Sequence, residues 1–219
     1  MNTEHIRTAH NGRRWVLDGH IAGAGTRAGT RLVLGAWHTS PWGAFADVMI
    51  AHPDGTRELL APTSDIADFI SGLYTFDRVR TCHVHLRRTG TGTGSRWQVT
   101  AAGLTWSFTL GGRGALGVLL RAVPPPLGST LTWARAIDPI ASRLLPGVHT
   151  HGSSNPNRVQ WYAAHDLHPI TDSSVVLDGV DQGALAPISP APDFGFSSVP
   201  QAPGVVRVRS QIRELRPGD

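Results

Sequence analysis

The chain has 219 residues and a formal net charge of +4, with 40% hydrophobic and 16% charged residues. That length and balance are typical of a globular protein that buries a substantial core. The single cysteine, Cys82, excludes an internal disulfide framework and favours the reducing cytoplasm. No apolar run approaches the roughly 20 residues that span a bilayer, and the stretch MNTEHIRTAHNGRR lacks the apolar core of a signal peptide. We therefore expect a cytoplasmic protein with no membrane partner.

All 20 basic residues are arginine, because the sequence contains no lysine. A lysine-free chain has no side-chain amine that could form a Schiff base with a carbonyl substrate. The arginines are scattered from Arg7 to Arg216 in ones and twos among acidic residues, whereas a nucleic-acid-binding surface usually clusters its charge. We therefore expect no nucleic-acid partner.

Residues 1–12 are predicted to be a disordered lead, and residues 13–215 a single domain. The stretches RRWVLDGHIAG and RLVLGAWH are typical of strands and flank a turn, AGTRAGT. Two further predicted strands, AFADVMIA and TRELLAP, are joined by the hairpin turn His52-Pro53-Asp54-Gly55.

The segment PTSDIADFISGLYTF is the clearest predicted helix. Ser64 is its expected N-terminal cap, since a serine hydroxyl can accept a hydrogen bond from a free backbone N–H of the first turn. One apolar face has the helical spacing that predicts packing on a sheet. Its members are Ile66, Phe69, Ile70 and Leu73.

The second half of the chain again alternates strand and turn. RVRTCHVHLRR and SRWQVTA are predicted to be strands joined by the loop TGTGTG, and LTWSFTL a strand with one apolar face. ALGVLLRAV predicts a short amphipathic helix that ends at three prolines. Asp138 and Pro139 indicate the start of another helical turn. The pattern as a whole predicts an α+β fold with a mostly antiparallel sheet or barrel and a few short peripheral helices.

Two histidine pairs, His149 with His151 and His165 with His168, raise the question of a metal site. A cupin-type site requires a glutamate shortly after the H-x-H pair, and the residues after His151 are GSSNPN. We therefore expect no metal there. Hydrogen-bonded structural histidines remain one alternative, and acid/base histidines oriented by an aspartate remain another.

A third pair, His83 and His85, shares a predicted strand face with Arg87. Successive residues of a strand point to opposite sides, so Cys82 and Val84 lie on the other face. A face that ends in arginine is expected to meet solvent, and we predict both histidines to be exposed.

Asp47 is the most informative carboxylate of the sequence. In AFADVMI it shares a strand face with Phe45 and Met49, which predicts apolar surroundings. A buried carboxylate must be paired or protonated, and a protonated one can serve proton transfer. A structural ion pair with Arg31 is the alternative.

Three stretches together resemble the acetoacetate decarboxylase-like superfamily: SPWGAFADVMI, the post-helical GLYTF and LGVLLRAVPPPL. The resemblance spans about residues 30 to 200 and implies an antiparallel barrel that encloses a ligand. It also implies that Asp47 matches an active-site acid and that Tyr74 lines the cavity. The family's Gly-aromatic-Pro-Lys-Lys motif carries the Schiff-base lysine, but Thr75 and Phe76 stand at the matching positions, so this chain lacks the amine that the family's imine decarboxylation requires.

The predicted function is that of a cofactor-independent cyclase, isomerase or lyase that acts on a largely apolar, carbonyl-bearing small molecule, with natural-product biosynthesis as one setting. The alternatives are a non-catalytic carrier and a histidine–metal enzyme, and a homo-oligomer is one option for assembly. The predicted catalytic side chains are Asp47, Tyr74, His165 and His168, and the predicted substrate-binding walls are Trp37, Trp42, Trp106 and Trp161.

Overall fold

The structure is a computed structural model that describes residues 13–123, 130–132, 134, 135, 138, 149–155, 157–195 and 199–215. The predicted disordered lead, residues 1–12, lies outside the described residues. The first strands and helix are β1 (Arg14–Thr26), β2 (Arg31–Thr39), β3 (Phe45–Ala51), β4 (Arg57–Ala61), α1 (Ser64–Ser71), β5 (Arg78–Thr81) and β6 (His85–Thr89). The remaining ones are β7 (Arg96–Ala101), β8 (Leu104–Leu110), α2 (Ala115–Ala122), β9 (His151–Asn155), β10 (Arg158–Leu177), β11 (Val180–Asp181), β12 (Leu185–Ala186) and β13 (Gly204–Glu214).

The predicted α+β class is confirmed, because strands dominate the described chain and two helices are delimited in it. The strands form one sheet in the order β5-β4-β3-β2-β1-β13-β10-β8-β7-β6, with β11 and β9 on β10 and β12 on β1. Only the β4–β5 pair is parallel among the described strand pairs.

The predicted closure into a barrel is wrong, since the two end strands of the sheet, β5 and β6, are not paired with each other. The stretch RVRTCHVHLRR, predicted to be one strand, is interrupted at residues 82–84. There the chain passes from β5 to β6; among the described strands, β5 pairs only with β4 and β6 only with β7. The two ends of the sheet are therefore joined by a corner of the chain and not by a ladder of hydrogen bonds.

The long strand β10 lets the sheet cover both sides of one core. Its first part pairs with β13 and its last part with β8, so one strand belongs to both halves of the sheet. The largest buried cluster contains Leu34 and Val48 from β2 and β3 together with Trp97 and Phe108 from β7 and β8. The two halves thus pack face to face, as in strand-switching sandwiches.

Helix α1 covers part of the outer face of the β1–β4 half. The predicted apolar face is confirmed, with Ile66, Phe69 and Ile70 buried, and these side chains belong to the cluster that also holds Leu59 of β4. The expected cap is wrong by one position: Oγ1 of Thr63, not Ser64, accepts the hydrogen bond from the Ile66 amide at 3.3 Å. Ser64 is instead the first helical residue.

The short helix α2 forms as the sequence predicts. Val118 and Leu119 are each 60% exposed, so its apolar side is not fully covered by the described residues. Of the predicted turn at Asp138 and Pro139, the proline lies outside the described residues. No helix within the described residues is both long and apolar enough to cross a membrane.

Candidate functional site

A small cavity lies between helix α1 and the outer face of the sheet. Its volume is about 40 Å³, counted as the space open to the centre of a water molecule. Apolar side chains of β1, β2, β3, α1 and β13 form most of its wall. The polar side chains on the wall are Trp37, Asp47, Tyr74, Gln160, Tyr162 and Ser210.

Strand alternation and a glycine bring Asp47 and Trp37 together at this cavity. Gly35 of β2 pairs directly with Asp47 of β3, and Trp37 is two residues further along on the same face. A Cβ at position 35 would collide with Oδ1 of Asp47 and would lie 2.7 Å from Nε1 of Trp37. The absence of a side chain at Gly35 is therefore what lets the indole reach the carboxyl group.

Asp47 is a buried carboxyl group, with only 2% of its surface exposed. Nε1 of Trp37 donates a 3.0 Å hydrogen bond to Oδ1 of Asp47. Burial raises the pKa of Asp47 from its usual 3.8 to about 7, and the Trp37 hydrogen bond opposes this rise without cancelling it. Near neutral pH, the group is thus divided between its acid and its carboxylate form.

The alternative ion pair between Asp47 and Arg31 is wrong. Arg31 pairs with Ala51 at the other end of the β2–β3 ladder, four residues from Gly35, a distance of about 13 Å along a strand. Nη2 of Arg31 instead donates a 2.9 Å hydrogen bond to the carbonyl oxygen of His52.

A network of hydroxyl groups forms the opposite wall of the cavity. The hydroxyl groups of Tyr74 and Tyr162 are hydrogen-bonded to each other. Nε2 of Gln160 lies 2.7 Å from the hydroxyl of Tyr162, 3.1 Å from that of Tyr74 and 3.3 Å from Oγ of Ser210. An amide nitrogen carries two hydrogens, so Gln160 can donate to only two of these three oxygens with good geometry at one time.

The two tyrosines are not equivalent. Burial raises the pKa of Tyr74, with hydrogen bonds from Tyr162 and Gln160 opposing the rise and the Asp47 charge adding to it. Burial also raises the pKa of Tyr162 well above its ordinary value, and there the charge of Tyr74 and its hydrogen bond add to the rise. Both hydroxyls are protonated near neutral pH, and Tyr74 is the more acidic. Such a hydroxyl can donate a hydrogen bond into the cavity.

Of the four tryptophans predicted as walls, only Trp37 lines the cavity. Trp42 packs on Phe69 with ring centroids 4.5 Å apart. Trp106 lies in the core between the two halves of the sheet, where its Nε1 donates to Oγ of Ser173 at 3.0 Å. Trp161 falls between two cavity residues of β10, so alternation turns it to the other face of the sheet.

The two predicted catalytic histidines of β10 do not line the cavity. His168 lies near α2, with Nδ1 3.0 Å from the carbonyl oxygen of Gly111 and Nε2 3.6 Å from Asp166. His165 is half-buried near Arg207 and Asp18, and burial and the arginine charge lower its pKa. Asp47 and Tyr74 are thus the two predicted catalytic residues that the fold brings together.

The other histidines form no three-ligand metal site among the described residues. Nδ1 of His149 lies 3.4 Å and Nδ1 of His151 3.8 Å from the carboxylate of Asp138, which precedes the pair in the chain. No group of three or more His, Cys, Asp or Glu side chains in the described ranges has the geometry to hold a metal ion. His83 and His85 are exposed, as predicted, but they do not share a strand, because His83 lies in the break at residues 82–84 and His85 begins β6.

Three polar residues of the cavity, Gln160, Tyr162 and Ser210, are not among those predicted from the sequence. The first two are separated by one residue in a predicted strand, so their common face was available as a signal. Ser210 gave no such signal, because it faces Tyr162 only through the pairing of β10 with β13.

Comparison with protein-family models, curated proteins and solved structures finds no match for this chain.

Proposed function

We propose that the protein is a cofactor-independent enzyme that moves a proton next to the carbonyl group of a small, largely apolar substrate. Such a transfer is a first step for isomerase, cyclase and lyase chemistry. The observation that carries the proposal is the position of Asp47, a buried carboxyl group with a pKa of about 7 on the wall of a cavity that also holds the Tyr74 hydroxyl. Perturbed carboxyl groups in clefts are candidates for general acid/base catalysis.

In the proposed reaction, the carbonyl oxygen of the substrate accepts a hydrogen bond from the Tyr74 hydroxyl. The Asp47 carboxylate removes a proton from the adjacent carbon, so the C–H bond breaks and its electrons form an enolate. The enolate oxygen is stabilised by the Tyr74 hydrogen bond, as in an oxyanion hole. Asp47, now protonated, returns the proton to the same or another carbon, which regenerates the carboxylate.

A pKa of about 7 suits this role. A catalytic acid/base group is most effective when its pKa is close to the working pH, because both forms are then populated. Apolar walls sustain this pKa, since they disfavour the charged form of Asp47.

Gln160 and Tyr162 are positioning residues in this proposal. Both contact the Tyr74 hydroxyl oxygen. When Tyr162 and Gln160 donate to that oxygen, the Tyr74 hydrogen is available for an acceptor in the cavity. The proposed donor is therefore oriented before the substrate enters, which is the condition for electrostatic stabilisation of a transition state.

The cavity size restricts what can enter. A water molecule requires about 10–15 Å³ on this measure, and an engineered cavity of about 150 Å³ binds benzene. The observed 40 Å³ therefore suits a group of a few atoms, such as a carbonyl and its neighbouring carbon. Ile21, Trp37 and Met49 are only half-buried, and we propose that the rest of the substrate lies against these side chains.

The proposed chemistry requires no imine, in agreement with the absence of lysine. The sequence resemblance proposes kinship with the acetoacetate decarboxylase-like superfamily. On that proposal this chain is a member that uses the active-site acid, Asp47, without the family's Schiff base. A cytoplasmic location remains the proposal that the single cysteine favours.

Hydrogen–deuterium exchange of simple ketones tests the proposed function. Acetone and butanone are incubated with the protein in D₂O, and loss of the α-proton signal is followed by NMR. We expect the wild type to accelerate exchange and Asp47→Asn to reduce the rate about a hundredfold or more.

Asp172→Asn is the matched control, because Asp172 is an exposed aspartate of β10 away from the cavity, and it should leave the rate unchanged. Equal exchange by the wild type and Asp47→Asn would contradict the proposal. Saturable ketone binding without any exchange would favour the non-catalytic carrier instead.

A further inference from the structure

Five basic or imidazole side chains meet on the face of the sheet opposite the cavity. Leu17 and Ile21 of β1 line the cavity, so His20 points to the other side, toward the space between the two halves of the sheet. The ring of His20 lies 5.0 Å from that of His38 and 5.4 Å from that of Trp97, between centroids. We call this group the histidine–arginine cluster; its members are His20, His38, Arg88, His165 and Arg207.

Two β-bulges place members of this cluster. The pairing of β1 with β2 shifts between Asp18 and Gly19, which leaves His38 as the extra residue. The pairing of β10 with β13 shifts between Ala164 and Asp166, which leaves His165 as the extra residue. Bulges redirect side chains and are frequent next to functional sites. Here they flank the directly paired residues His20 and Arg207 on both sides.

Arg88 is held in position without an acidic partner among the described residues. Its guanidinium group lies 3.9 Å from the ring centroid of Trp97. Nη1 of Arg88 is 2.9 Å from Nε2 of His38. That contact uses one of the five N–H donors of a guanidinium group. The guanidinium group is planar, and stacking on the Trp97 ring fixes its orientation. The remaining N–H donors of Arg88 then form a fork whose geometry matches the oxygens of an oxyanion.

The surroundings of His20 are positive and incompletely hydrogen-bonded. Nδ1 of His20 is buried and has no hydrogen-bond partner among the described residues. Burial is the largest cause that lowers the pKa of His20 to about 3, the charges of Arg88, His38 and Arg207 contribute to this shift, and the charge of Asp166 opposes it. Arg207 forms an ion pair with Asp18 and donates to the carbonyl oxygen of Gly19 at 3.0 Å.

We propose that the histidine–arginine cluster binds a small oxyanion of the phosphate type. An anion there would neutralise Arg88 and give His20 the hydrogen-bond partner that it lacks. Arg88 of β6 and His20 of β1 belong to opposite halves of the sheet, so an anion between them would be approached from two sides, which suits a tetrahedral group with three or four oxygens better than a planar carboxylate with two. A cation is disfavoured by the same positive surroundings. The site is independent of the proposed carbonyl chemistry, because it lies on the other face of the sheet.

Calorimetric titration of the full chain with inorganic phosphate at low ionic strength tests the proposal, with acetate as a second ligand. We expect one saturable phosphate site in the wild type and weaker binding of acetate. Arg88→Gln should weaken phosphate binding about tenfold or more, the usual effect of losing a hydrogen bond to a charged group. Arg87→Gln is the matched control, because Arg87 is an exposed arginine next to Arg88 and faces the other side of β6. The affinity of the Arg87→Gln variant for phosphate should stay within about twofold of the wild-type value.

A measurement on the wild type makes the test independent of how the variants fold. Phosphate should raise the pKa of His20 from about 3, because a nearby anion stabilises the imidazolium form. The His20 ring signals are followed by NMR with and without phosphate. The proposal is overturned if phosphate shows no saturable binding, if Arg87→Gln and Arg88→Gln weaken it equally, or if the His20 signals do not respond.

Discussion

The indole Nε1 of Trp37 donates a 3.0 Å hydrogen bond to Oδ1 of Asp47 on the neighbouring strand. No charged side chain balances this carboxyl group within the described part of the chain. The hydrogen bond favours the carboxylate and burial favours the acid. Burial has the larger effect, so the pKa of Asp47 is about 7. The protonation state of the cavity is thus decided by desolvation.

Asp47 should make the protein less stable as the pH rises. Its pKa is about 7 when folded and about 3.8 when exposed, so between these values the folded chain keeps a proton that the unfolded chain has lost. The free energy of unfolding should therefore fall by about 4 kcal/mol from low pH to above the folded pKa.

The measurement is the melting temperature of the wild type and Asp47→Asn between about pH 5 and about pH 8. The uncharged asparagine removes this titration, so the variant should gain stability relative to the wild type as the pH rises. A difference in melting temperature that is constant with pH would show that Asp47 is ionised throughout.

Trp37→Phe should raise the pKa of Asp47 further. The variant removes the hydrogen bond that stabilises the carboxylate and leaves the burial in place. The measurement is an NMR titration of the Asp47 carboxyl carbon. Trp106→Phe is the control, because the indole of Trp106 donates to Ser173 in the core between the two halves of the sheet. This variant should leave the Asp47 titration unchanged.

Gly35→Ala should separate Trp37 from Asp47. The added methyl group has no room between them, and overpacking of this kind costs about 1–3 kcal/mol. We expect a lower melting temperature and a changed Asp47 titration. Gly112→Ala is the matched control, because a Cβ at Gly112 meets nothing within 4 Å. Equal behaviour of the two variants would show that Gly35 is not required for the contact.

Tyr74→Phe should reduce ketone exchange about a hundredfold or more, because it removes the proposed donor to the carbonyl oxygen. Tyr162→Phe should have a smaller effect, since Tyr162 acts through Tyr74. The measurement is the exchange rate in D₂O at several ketone concentrations. A larger loss in Tyr162→Phe than in Tyr74→Phe would reverse the two assigned roles.

Some of the candidate site could be predicted from the sequence, because it depends on neighbours along one strand. The alternation of AFADVMI predicts that Asp47 shares the face of Phe45 and Met49, and the structure places it there in apolar surroundings. The helical spacing of Ile66, Phe69 and Ile70 predicts the face of α1 that forms part of the wall.

The partners of Asp47 could not be predicted in the same way. Arg31 and Trp37 both lie on β2, and the sequence allows either as the partner of Asp47. The register of β2 with β3 is what places Trp37, and not Arg31, next to the carboxyl group. Tyr74 and Tyr162 are far apart in the chain, and their contact requires the packing of the segment after α1 against β10.

The clustering of the arginines likewise could not be predicted from their spacing along the chain. They are scattered along the chain, but the pairing of β1 with β13 sets Arg14 opposite Arg213, and alternation puts Arg207 and Arg209 on that same side. The expected absence of a nucleic-acid partner was based on spacing along the chain and stays a prediction.

The local structure of this protein could be predicted from the amino-acid sequence alone: most strands, both delimited helices, the turn at His52-Pro53-Asp54-Gly55 and the exposure of His83 and His85. These features follow from side-chain periodicity and turn chemistry, which act over a few residues. That the sheet is open, and where the polar side chains meet, depends on the tertiary fold. Strand pairing, bulges and the break at residues 82–84 depend on contacts between distant segments, and no local pattern encodes them.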